Sequence, residues 1–385
     1  MKSTQAATIT DVAKAAGVSL STASAALNGK GGKYAVSPQK REMILEAARR
    51  LNYEPNPHAR RLAQGEQRQM IGLFSPSLDL GVGTRKSHVI QSELNRAGFD
   101  VPLYTYGYGG THEQFDHLGL MKTLCRQKPR AVVCNVNGLH TDAFDELRHY
   151  IARGGIVVTY DLACDLGCDQ VVFDRFHNTF CGASHLLELG HRKIGYLAEG
   201  EAQMPSNSQR LRGFLAALES ANAPVNAAWQ LWSGNNFRHE EAGEELATRF
   251  LALEDKPSGV CIINDQVAAV FINQLLRAGV RVPDDVSVVS HDDLMAARTA
   301  IVPISAVSHP FRAVAEAVIS LLLERLNGQF EGGARRVEVR GELTPRESCR
   351  EITRDKLIRP TCRSTQVGAV RPAANFPPSR EKSLV

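Results

Sequence analysis

The residues best suited to bind a small molecule stand at the ends of short apolar segments. Each segment, such as AVVCNV at 131–136, has the length and composition of a buried strand. In open parallel sheets, ligands bind beyond the carboxyl ends of the strands. The polar residues at these ends are Ser75, Ser77, Asn135, Asp161, Asn264, Asp265, Asp292 and Asp293. The alternative is that the Asn264-Asp265 and Asp292-Asp293 pairs cap helices or close turns, and for Asp265 and Asp293 we expect that role.

No arrangement of residues indicates catalysis or a bound cofactor. Gly81-Val82-Gly83 lacks the third glycine of a dinucleotide fingerprint, because Lys86 occupies that position, and the P-loop pattern is absent. Neither G-x-S-x-G nor H-E-x-x-H occurs, and His185 and His191 are too far apart to share one helix face. We therefore predict that the chain is not an enzyme and carries no cofactor and no metal.

Short apolar strands alternate with amphipathic helices from Met70 onward, which is the pattern of parallel sheets covered by helices. Two such series indicate two lobes, and the second series is predicted to begin at QVVFD (170–174). We assign the N-terminal lobe to about 67–162 and 303–330. The C-terminal lobe is assigned to about 163–302 and 331–349, so that one α/β domain spans 67–349.

Residues 1–54 are predicted to form a small helical domain ahead of these lobes. Thr8, with Asp11 as the carboxylate of a capping box, would begin a helix that ends at Gly17. Ser19 would begin a second helix over Leu20–Leu27. Two short helices joined by a tight turn containing glycine form a helix-turn-helix.

The second helix is the candidate DNA reader, ended by Asn28-Gly29. In a helix-turn-helix the first exposed turn of this helix contacts base edges in the major groove. That turn carries Leu20, Ser21 and Thr22. The same signals also fit an α-hairpin without any role in DNA binding.

A third helix is predicted to begin at Ser37-Pro38. Its expected buried face consists of Met43, Ile44, Ala47, Ala48 and Leu51. Residues 55–66 follow as a linker, in which Asn56 caps about two helical turns before Gly65. A helix this short is marginal in water. It would form only when DNA or a partner subunit holds it.

Composition fits a DNA-binding protein of 385 residues. Hydrophobic residues make up 43% of the chain, and no apolar run approaches the length of a membrane span. The N-terminus lacks the apolar stretch of a secretory signal, so we expect a cytoplasmic protein. Residues 1–65 hold ten Lys and Arg against four Asp and Glu, an electrostatic footprint suited to DNA. The eight cysteines show no zinc or disulfide spacing, and Cys164-x-x-x-Cys168 is the closest pair.

The segments VAKAAGVSLSTASAALNG (12–29), VSPQKREMILEAARRLNYEPN (36–56) and HARRLAQG (58–65) resemble the DNA-binding headpiece and hinge of the LacI/GalR family of bacterial regulators. The resemblance implies a hinge helix that folds on the operator and pairs with its dimer partner. Leu62 would then enter the minor groove as an apolar wedge, which kinks the duplex, and Ala59 would lie on the helix–helix face. The DNA contacts expected overall are Thr8, Ser19, Leu20, Ser21, Thr22, Ser24, Ala25, Asn28, Tyr34, Asn56, Ala59, Arg60, Arg61 and Leu62.

One departure from the family concerns base readout. Many members carry an arginine where this chain has Ala25, and alanine cannot make the bidentate contact of arginine with guanine. Readout is therefore expected from Leu20, Ser21 and the loop at 30–34.

The body resembles the effector-binding domain of the same family, which is similar to periplasmic sugar-binding proteins. The shared segments include QRLRGFLAAL (209–218), IIND (262–265) and AGVRVPDDVSVVSHDD (278–293). The resemblance implies effector contacts from Arg210, Asn264, Asp292 and Asp161. An arginine fork and carboxylates suit a carbohydrate or a related metabolite. With the strand-end residues, the expected effector-binding set is Ser77, Asn135, Asp161, Arg210, Asn264 and Asp292.

The N-terminal half of the cleft departs from the family. SPSLDLGVGTRKSH (75–88) stands where an aromatic pair is common, and VFDRFHNTF (172–180) replaces a small, glycine-containing run. Either the ligand is unusual or the cleft binds no ligand.

The resemblance as a whole implies a repressor that binds a palindromic operator as a homodimer, with an effector that changes the angle between the lobes. The alternatives are a DNA-binding regulator that ignores ligand and, with less support, a solute-binding protein. Residues 350–385 are expected to be a disordered basic tail.

Overall fold

A computed structural model describes residues 7–27, 36–53, 69–76, 81–107, 116–234 and 238–352. Three helices form the headpiece: α1 (Ile9–Ala15), α2 (Leu20–Leu27) and α3 (Pro38–Arg50). The body continues in chain order with β1 (Ile71–Pro76), α4 (Val82–Arg96), β2 (Leu103–Tyr106), α5 (His117–Arg126), β3 (Ala131–Asn135), α6 (Thr141–Ala152), β4 (Ile156–Asp161), β5 (Asp169–Phe173), α7 (Arg175–Glu188), β6 (Ile194–Glu199), α8 (Pro205–Ser220), β7 (Gln230–Ser233), α9 (His239–Leu251), β8 (Gly259–Ile262), α10 (Asp265–Arg277), β9 (Ser287–Asp292), α11 (Met295–Thr299), β10 (Ser305–Ser308), α12 (Phe311–Leu326), β11 (Arg336–Val339) and β12 (Leu343–Thr344).

The predicted start and stop signals of the headpiece helices are confirmed. The Thr8 hydroxyl accepts from the Asp11 backbone N–H, and the Asp11 carboxylate accepts from the Thr8 backbone N–H at 2.9 Å. Gly17 lies just after the C-terminal end of α1 and has a φ of 61°, which glycine adopts without strain. Ser19 Oγ accepts from the Thr22 backbone N–H at 3.2 Å and so caps α2.

The buried face predicted for α3 is confirmed with one exception. Ala13 and Ala23 pack with Ile44, Ala47 and Ala48 (the last three from α3). The prediction that Met43 is buried was wrong, because its side chain is 55% exposed. The stripe that packs inward runs i, i+3, i+4 from Ile44, and the residue before Ile44 points about 100° away from it.

Each lobe is built on a six-stranded sheet. The N-terminal lobe has the strand order β11-β5-β4-β3-β1-β2, and every pair in it is parallel. Helices α4 and α12 cover one face and α5 and α6 the other. The C-terminal lobe has the order β12-β10-β9-β8-β6-β7, in which only β12 is antiparallel. Helices α7 and α8 cover one of its faces, and α9 and α10 cover the opposite face.

The lobe boundaries predicted from the sequence were wrong in three places. Residues 169–173 form β5, which pairs with β4 in the N-terminal lobe and does not open the C-terminal lobe. Parallel neighbours usually need a helical crossover, whereas residues 162–168 return the chain without a helix. Residues 305–308 form β10 of the C-terminal lobe, and residues 336–339 form β11 of the N-terminal lobe.

The chain therefore crosses between the lobes three times within the described residues. The crossings lie at 174–175, between β5 and α7, at 309–310, between β10 and α12, and at 340–342, between β11 and β12. Asn178 ties them together, since its amide nitrogen donates to the Ser308 carbonyl at 3.0 Å and its amide oxygen accepts from Gly341 N–H at 2.9 Å. A change in the angle between the lobes would therefore act on this bonded cluster.

The end of the described chain corrects one further boundary. Residues 350–352 were assigned to the tail, but the Ile352 N–H donates to the Leu189 carbonyl at 2.8 Å, and Arg350 donates to the Asp284 carbonyl at 2.8 Å. Both bonds attach the segment to the C-terminal lobe. The rest of the predicted tail lies outside the described residues. Across the described ranges, no helix is both long and apolar enough to cross a membrane.

Candidate functional site

A cavity of about 460 Å³ lies between the lobes, at the carboxyl ends of both sheets. Five of the six predicted effector-binding residues line it: Asn135, Asp161, Arg210, Asn264 and Asp292. The sixth, Ser77, lies outside the described residues. Ser75 is fully buried and accepts a hydrogen bond from the Tyr160 hydroxyl at 3.2 Å, so it belongs to the core.

The wall contributed by the N-terminal lobe is built around Asp161, at the end of β4. Lys86 Nζ lies 2.8 Å and Arg175 Nη2 lies 2.7 Å from the same carboxylate oxygen, Asp161 Oδ1. Arg175 also donates through Nη1 to the Asp161 carbonyl at 3.1 Å. Burial alone would raise the pKa of Asp161, but Arg175 and Lys86 outweigh burial and hold this pKa well below its usual range. The carboxylate is therefore charged.

Asn135, at the end of β3, adds an amide to the same wall. Its amide oxygen accepts from the Asn137 backbone N–H at 2.9 Å. Its amide nitrogen is buried and has no hydrogen-bond partner among the described residues. Because a buried donor without a partner is costly, this N–H is available to a ligand in the cavity.

The wall contributed by the C-terminal lobe contains Arg210 and Asn264. Arg210, on α8, is half-buried and donates through Nη1 to Asn207 Oδ1 at 3.3 Å. Burial and then the charge of Arg175 lower the pKa of Arg210 from its usual value. Asn264 has two roles, because its amide oxygen caps α10 by accepting from Gln266 N–H at 2.8 Å while its amide nitrogen faces Glu199 Oε1 at 3.4 Å.

Asp292, at the end of β9, faces His309 across the second crossing. His309 Nδ1 lies 3.6 Å from Asp292 Oδ1, and the His309 backbone N–H donates to the Asp292 carbonyl at 3.0 Å. Burial, followed by the charge of Lys86, lowers the pKa of His309 to about 4. The imidazole is thus neutral near pH 7 and can either donate or accept a hydrogen bond.

Asp265 and Asp293 make contacts inside the protein, although those of Asp293 are ion pairs and not the helix cap or turn that we expected. Asp265 accepts hydrogen bonds from the Ser290 hydroxyl and from the Leu294 backbone N–H. Asp293 pairs with Arg298 at 3.0 Å and with Arg346 at 2.6 Å. Neither residue is part of the cavity lining.

Sequence reasoning missed several polar and charged residues of the cavity, among them Lys86, Arg175 and His309. The first two stand in the segments that depart from the family, where the sequence alone leaves open whether the cleft binds a ligand. The structure places both side chains against Asp161. The sequence gives no local signal for Arg175, because Asp174, the N-cap of α7, already supplies an anion beside it.

The candidate DNA-binding surface lies on the headpiece. Leu20 is 51% exposed, and Ser21 beside it is exposed as well. The Ser19 hydroxyl lies 2.9 Å from the Ser21 hydroxyl and 2.8 Å from the Thr22 hydroxyl. Thr8 is exposed at the start of α1, and Ser24 and Ala25 are half-buried on α2. The remaining predicted contacts lie outside the described residues: Asn28, Tyr34, Asn56, Ala59, Arg60, Arg61 and Leu62.

Comparison with known proteins matches both parts of the chain. The model of the "Bacterial regulatory proteins, lacI family" matches residues 8–56, and that of the "Periplasmic binding protein-like domain" matches residues 183–349. The HTH-type transcriptional repressor PurR of Mannheimia succiniciproducens is 28% identical over 90% of this chain and 99% of its own length. The NTD biosynthesis operon regulator NtdR of Bacillus subtilis is 28% identical over 89% of this chain and 99% of its own length.

Solved structures share the whole architecture. The lac repressor dimer bound to operator and the anti-inducer ONPF superposes with a TM-score of 0.70 at 24% identity, over 90% of this chain and 100% of that chain. The complex of the transcriptional regulator CelR with cellobiose gives a TM-score of 0.61 at 25% identity, over 89% of this chain and 99% of that chain.

A helix-turn-helix headpiece joined to a two-lobed body of the periplasmic-binding-protein type defines a class of DNA-binding transcription regulators, not of enzymes. The chain belongs to the LacI/GalR family. Within the described ranges, no group of three or more His, Cys, Asp or Glu side chains could hold a metal ion.

Proposed function

We propose that the chain is a cytoplasmic transcriptional repressor that binds a palindromic operator as a homodimer, with an affinity set by a small polar effector in the cleft between the lobes. One observation supports an effector-binding site: the polar residues predicted from both lobes line one cavity at the crossings. A ligand that contacts both walls favours one angle between the lobes, and its differential affinity for the two angles shifts the population. Relatives named as repressors, and a CelR complex with cellobiose, support this reading.

The coupling to DNA would pass through the hinge segment at 55–66, which lies outside the described residues. A change in the lobe angle alters the spacing of the two hinge segments in a dimer and hence the affinity for the operator. Thermodynamic linkage requires the reciprocal effect, so operator DNA changes the affinity for the effector by the same factor.

A thermal-shift screen of the full chain tests the effector. A ligand at a hundred times its Kd adds about 2.7 kcal/mol to the free energy of unfolding, which raises the melting temperature visibly. Sugars, sugar phosphates, polyols and nucleobases form the panel. We expect a hit that Arg210→Ala abolishes and that Arg212→Ala retains, because Arg212 is exposed on the same helix and does not line the cavity.

The DNA arm uses a duplex selected from random sequences by the full chain. Fluorescence anisotropy with and without the hit measures whether the effector weakens or strengthens operator binding. Sedimentation equilibrium of the free protein and of the complex measures the dimer. A monomer on the duplex, or a selected sequence without inverted symmetry, would contradict the proposed mode of binding.

A second candidate is a regulator whose cleft no longer takes a ligand. One observation favours this candidate. Lys86 and Arg175 already form ion pairs with Asp161, the residue that the family resemblance assigns to effector binding. This candidate predicts no stabilisation by any member of the panel and the same operator affinity under every condition.

A further inference from the structure

The wall of the cleft holds a local excess of buried positive charge around Asp161. The side chains of Lys86, Asp161 and Arg175 are 3%, 2% and 3% exposed, respectively. Two cations thus share one carboxylate. A buried ion pair compensates for lost hydration only when its charges are balanced and its donors are satisfied. With all three groups ionised, this cluster, which we call the Asp161 triad, carries one positive charge in excess, and burial accordingly lowers the pKa of Lys86.

The other carboxylates that line the cavity have different partners. Asp292 lies against His309, and it attracts Lys86 only at longer range. Glu199 Oε2 lies 2.9 Å from His239 Nδ1. Among the described residues, neither carboxylate forms an ion pair with Lys86 or with Arg175, so the excess charge of the triad stays at the cavity wall.

Hydrogen-bond donors beside the triad are also unused. Arg175 Nε is buried without a partner among the described residues, and the Asn135 amide nitrogen is in the same condition. Both residues line the cavity, as does Lys86. Unpaired donors and excess positive charge at one wall call for the same complement, which is an anionic group with several acceptor oxygens.

We propose that the effector is an anionic polyol, a small hydroxylated molecule with a carboxylate or a phosphate that binds against Lys86 and Arg175. This inference rests on the proposed function and adds the chemical class of the effector. Arginine suits the anionic group because its guanidinium presents a planar fork of donors to carboxylate or phosphate. The hydroxyls would face Asp292 and Arg210 on the opposite wall, where the carboxylate accepts and the guanidinium donates.

The position of Arg175 connects this charge to lobe movement. Lys86 belongs to the N-terminal lobe, whereas Arg175 is the first residue of α7, directly after the first crossing. An anion held by both cations therefore spans the hinge. Asp161 already holds both cations within 2.8 Å of one oxygen, so the anion would strengthen this contact between the lobes.

Inorganic phosphate is the first probe, because it carries the anionic group without depending on the rest of the effector. The full chain is titrated with sodium phosphate, with sodium chloride at matched ionic strength as the reference, and the melting temperature is followed. We expect a saturable rise in the wild type. Lys86→Met should weaken the apparent affinity about ten- to hundredfold, the range for a lost charged hydrogen bond. Arg85→Met is the matched control, because it removes a charge from the same helix but not from the cavity.

Equal phosphate responses in the wild type and Lys86→Met, or a wild-type response no larger than that to chloride, would overturn the inference. If Lys86→Met does not fold, Lys86→Gln gives the same comparison. A matched trio of glucose, gluconate and glucose 6-phosphate then identifies the source of the charge. Preference for gluconate indicates a sugar acid, and preference for glucose 6-phosphate indicates a sugar phosphate. Binding of glucose alone would overturn the anionic class while leaving the proposed effector cleft intact.

Discussion

Removing the carboxylate of the Asp161 triad is the sharpest test of its electrostatics. Asp161→Asn keeps the shape of the side chain but leaves Lys86 and Arg175 buried without a countercharge. Breaking a buried pair in this way costs about 3–5 kcal/mol. For a domain of this size, that loss corresponds to a melting temperature lower by roughly 6–20 °C.

The contrasting variant is Lys86→Met, which removes the excess charge and leaves the pair of Asp161 and Arg175 balanced. Methionine also follows the path of the lysine hydrocarbon chain. We expect a free energy of unfolding within about 1 kcal/mol of the wild type, or a small gain, because Asp161 keeps Arg175 as its partner and no buried charge is left without a countercharge. The two variants should therefore differ strongly although each alters one end of the same contact.

The assay is urea and thermal unfolding of the ligand-free full chain, followed by circular dichroism at constant pH and ionic strength. Asp145→Asn is the control, since Asp145 pairs with Arg148 on the surface, where side-chain exposures of 61% and 48% leave the pair screened by water. The reasoning is refuted if Lys86→Met destabilises the protein as much as Asp161→Asn. Lys86 would then be an obligatory structural partner, and the triad would have no excess charge to offer a ligand.

Three further predictions concern other parts of the molecule. Leu20→Ala should weaken operator binding, measured by fluorescence anisotropy, and leave the melting temperature nearly unchanged, because the side chain is 51% exposed. A matching loss of stability would show that Leu20 is a packing residue. His309, with a pKa lowered by burial and then by Lys86 from 6.5 to about 4, stays neutral when folded but binds a proton when unfolded. Its contribution to stability is therefore complete above pH 6.5 and is lost as the pH falls toward 4. The urea midpoint of His309→Gln should accordingly fall less than that of the wild type over this pH range. Equal slopes for the two proteins would contradict this prediction. Gly213→Ala would place a Cβ 2.2 Å from the Phe176 carbonyl oxygen, where α7 and α8 approach closely. We expect a loss of about 1–3 kcal/mol on urea unfolding, and an unchanged midpoint would show that the helices can separate without cost.

The headpiece illustrates which features can be predicted from sequence. Thr8 with Asp11, Gly17, and Ser37 before Pro38 are signals that act within a few residues, so each fixes its helix end without tertiary information. The lobe boundaries depend on a different kind of fact. Whether 169–173 continues one sheet or starts another is decided by pairing with β4, and the short return at 162–168 breaks the usual pattern of a helical crossover.

The cleft shows the same division between local and tertiary information. Asn135, Asp161 and Asp292 could be predicted because polar residues after buried strands meet at one edge of a parallel sheet. Lys86 could not, since lysine is almost never fully buried unless it is paired. Nothing within α4 indicates that its partner lies at the end of β4. A departure from a family pattern was visible in the sequence, but its meaning, a new charge in the cleft, required the three-dimensional contact.

Backbone conformation is a separate argument that the cleft is a ligand-binding site. Asp161, Asn264 and Asp292 have φ values of 95°, 89° and 98°, and all three line the cavity. Such conformations cost about 1–3 kcal/mol each for residues other than glycine, and they persist where the surrounding structure enforces them, most often at binding sites. Glycine at these positions would remove the strain but also the side chains. The combination of strained backbone, unpaired buried donors and excess buried charge lowers the stability of the free protein in one place. In a cleft that had lost its ligand, nothing would compensate for these free-energy costs. A ligand that pairs with the donors and with the charge offsets them. On this argument an occupied cleft is favoured over a degenerate one.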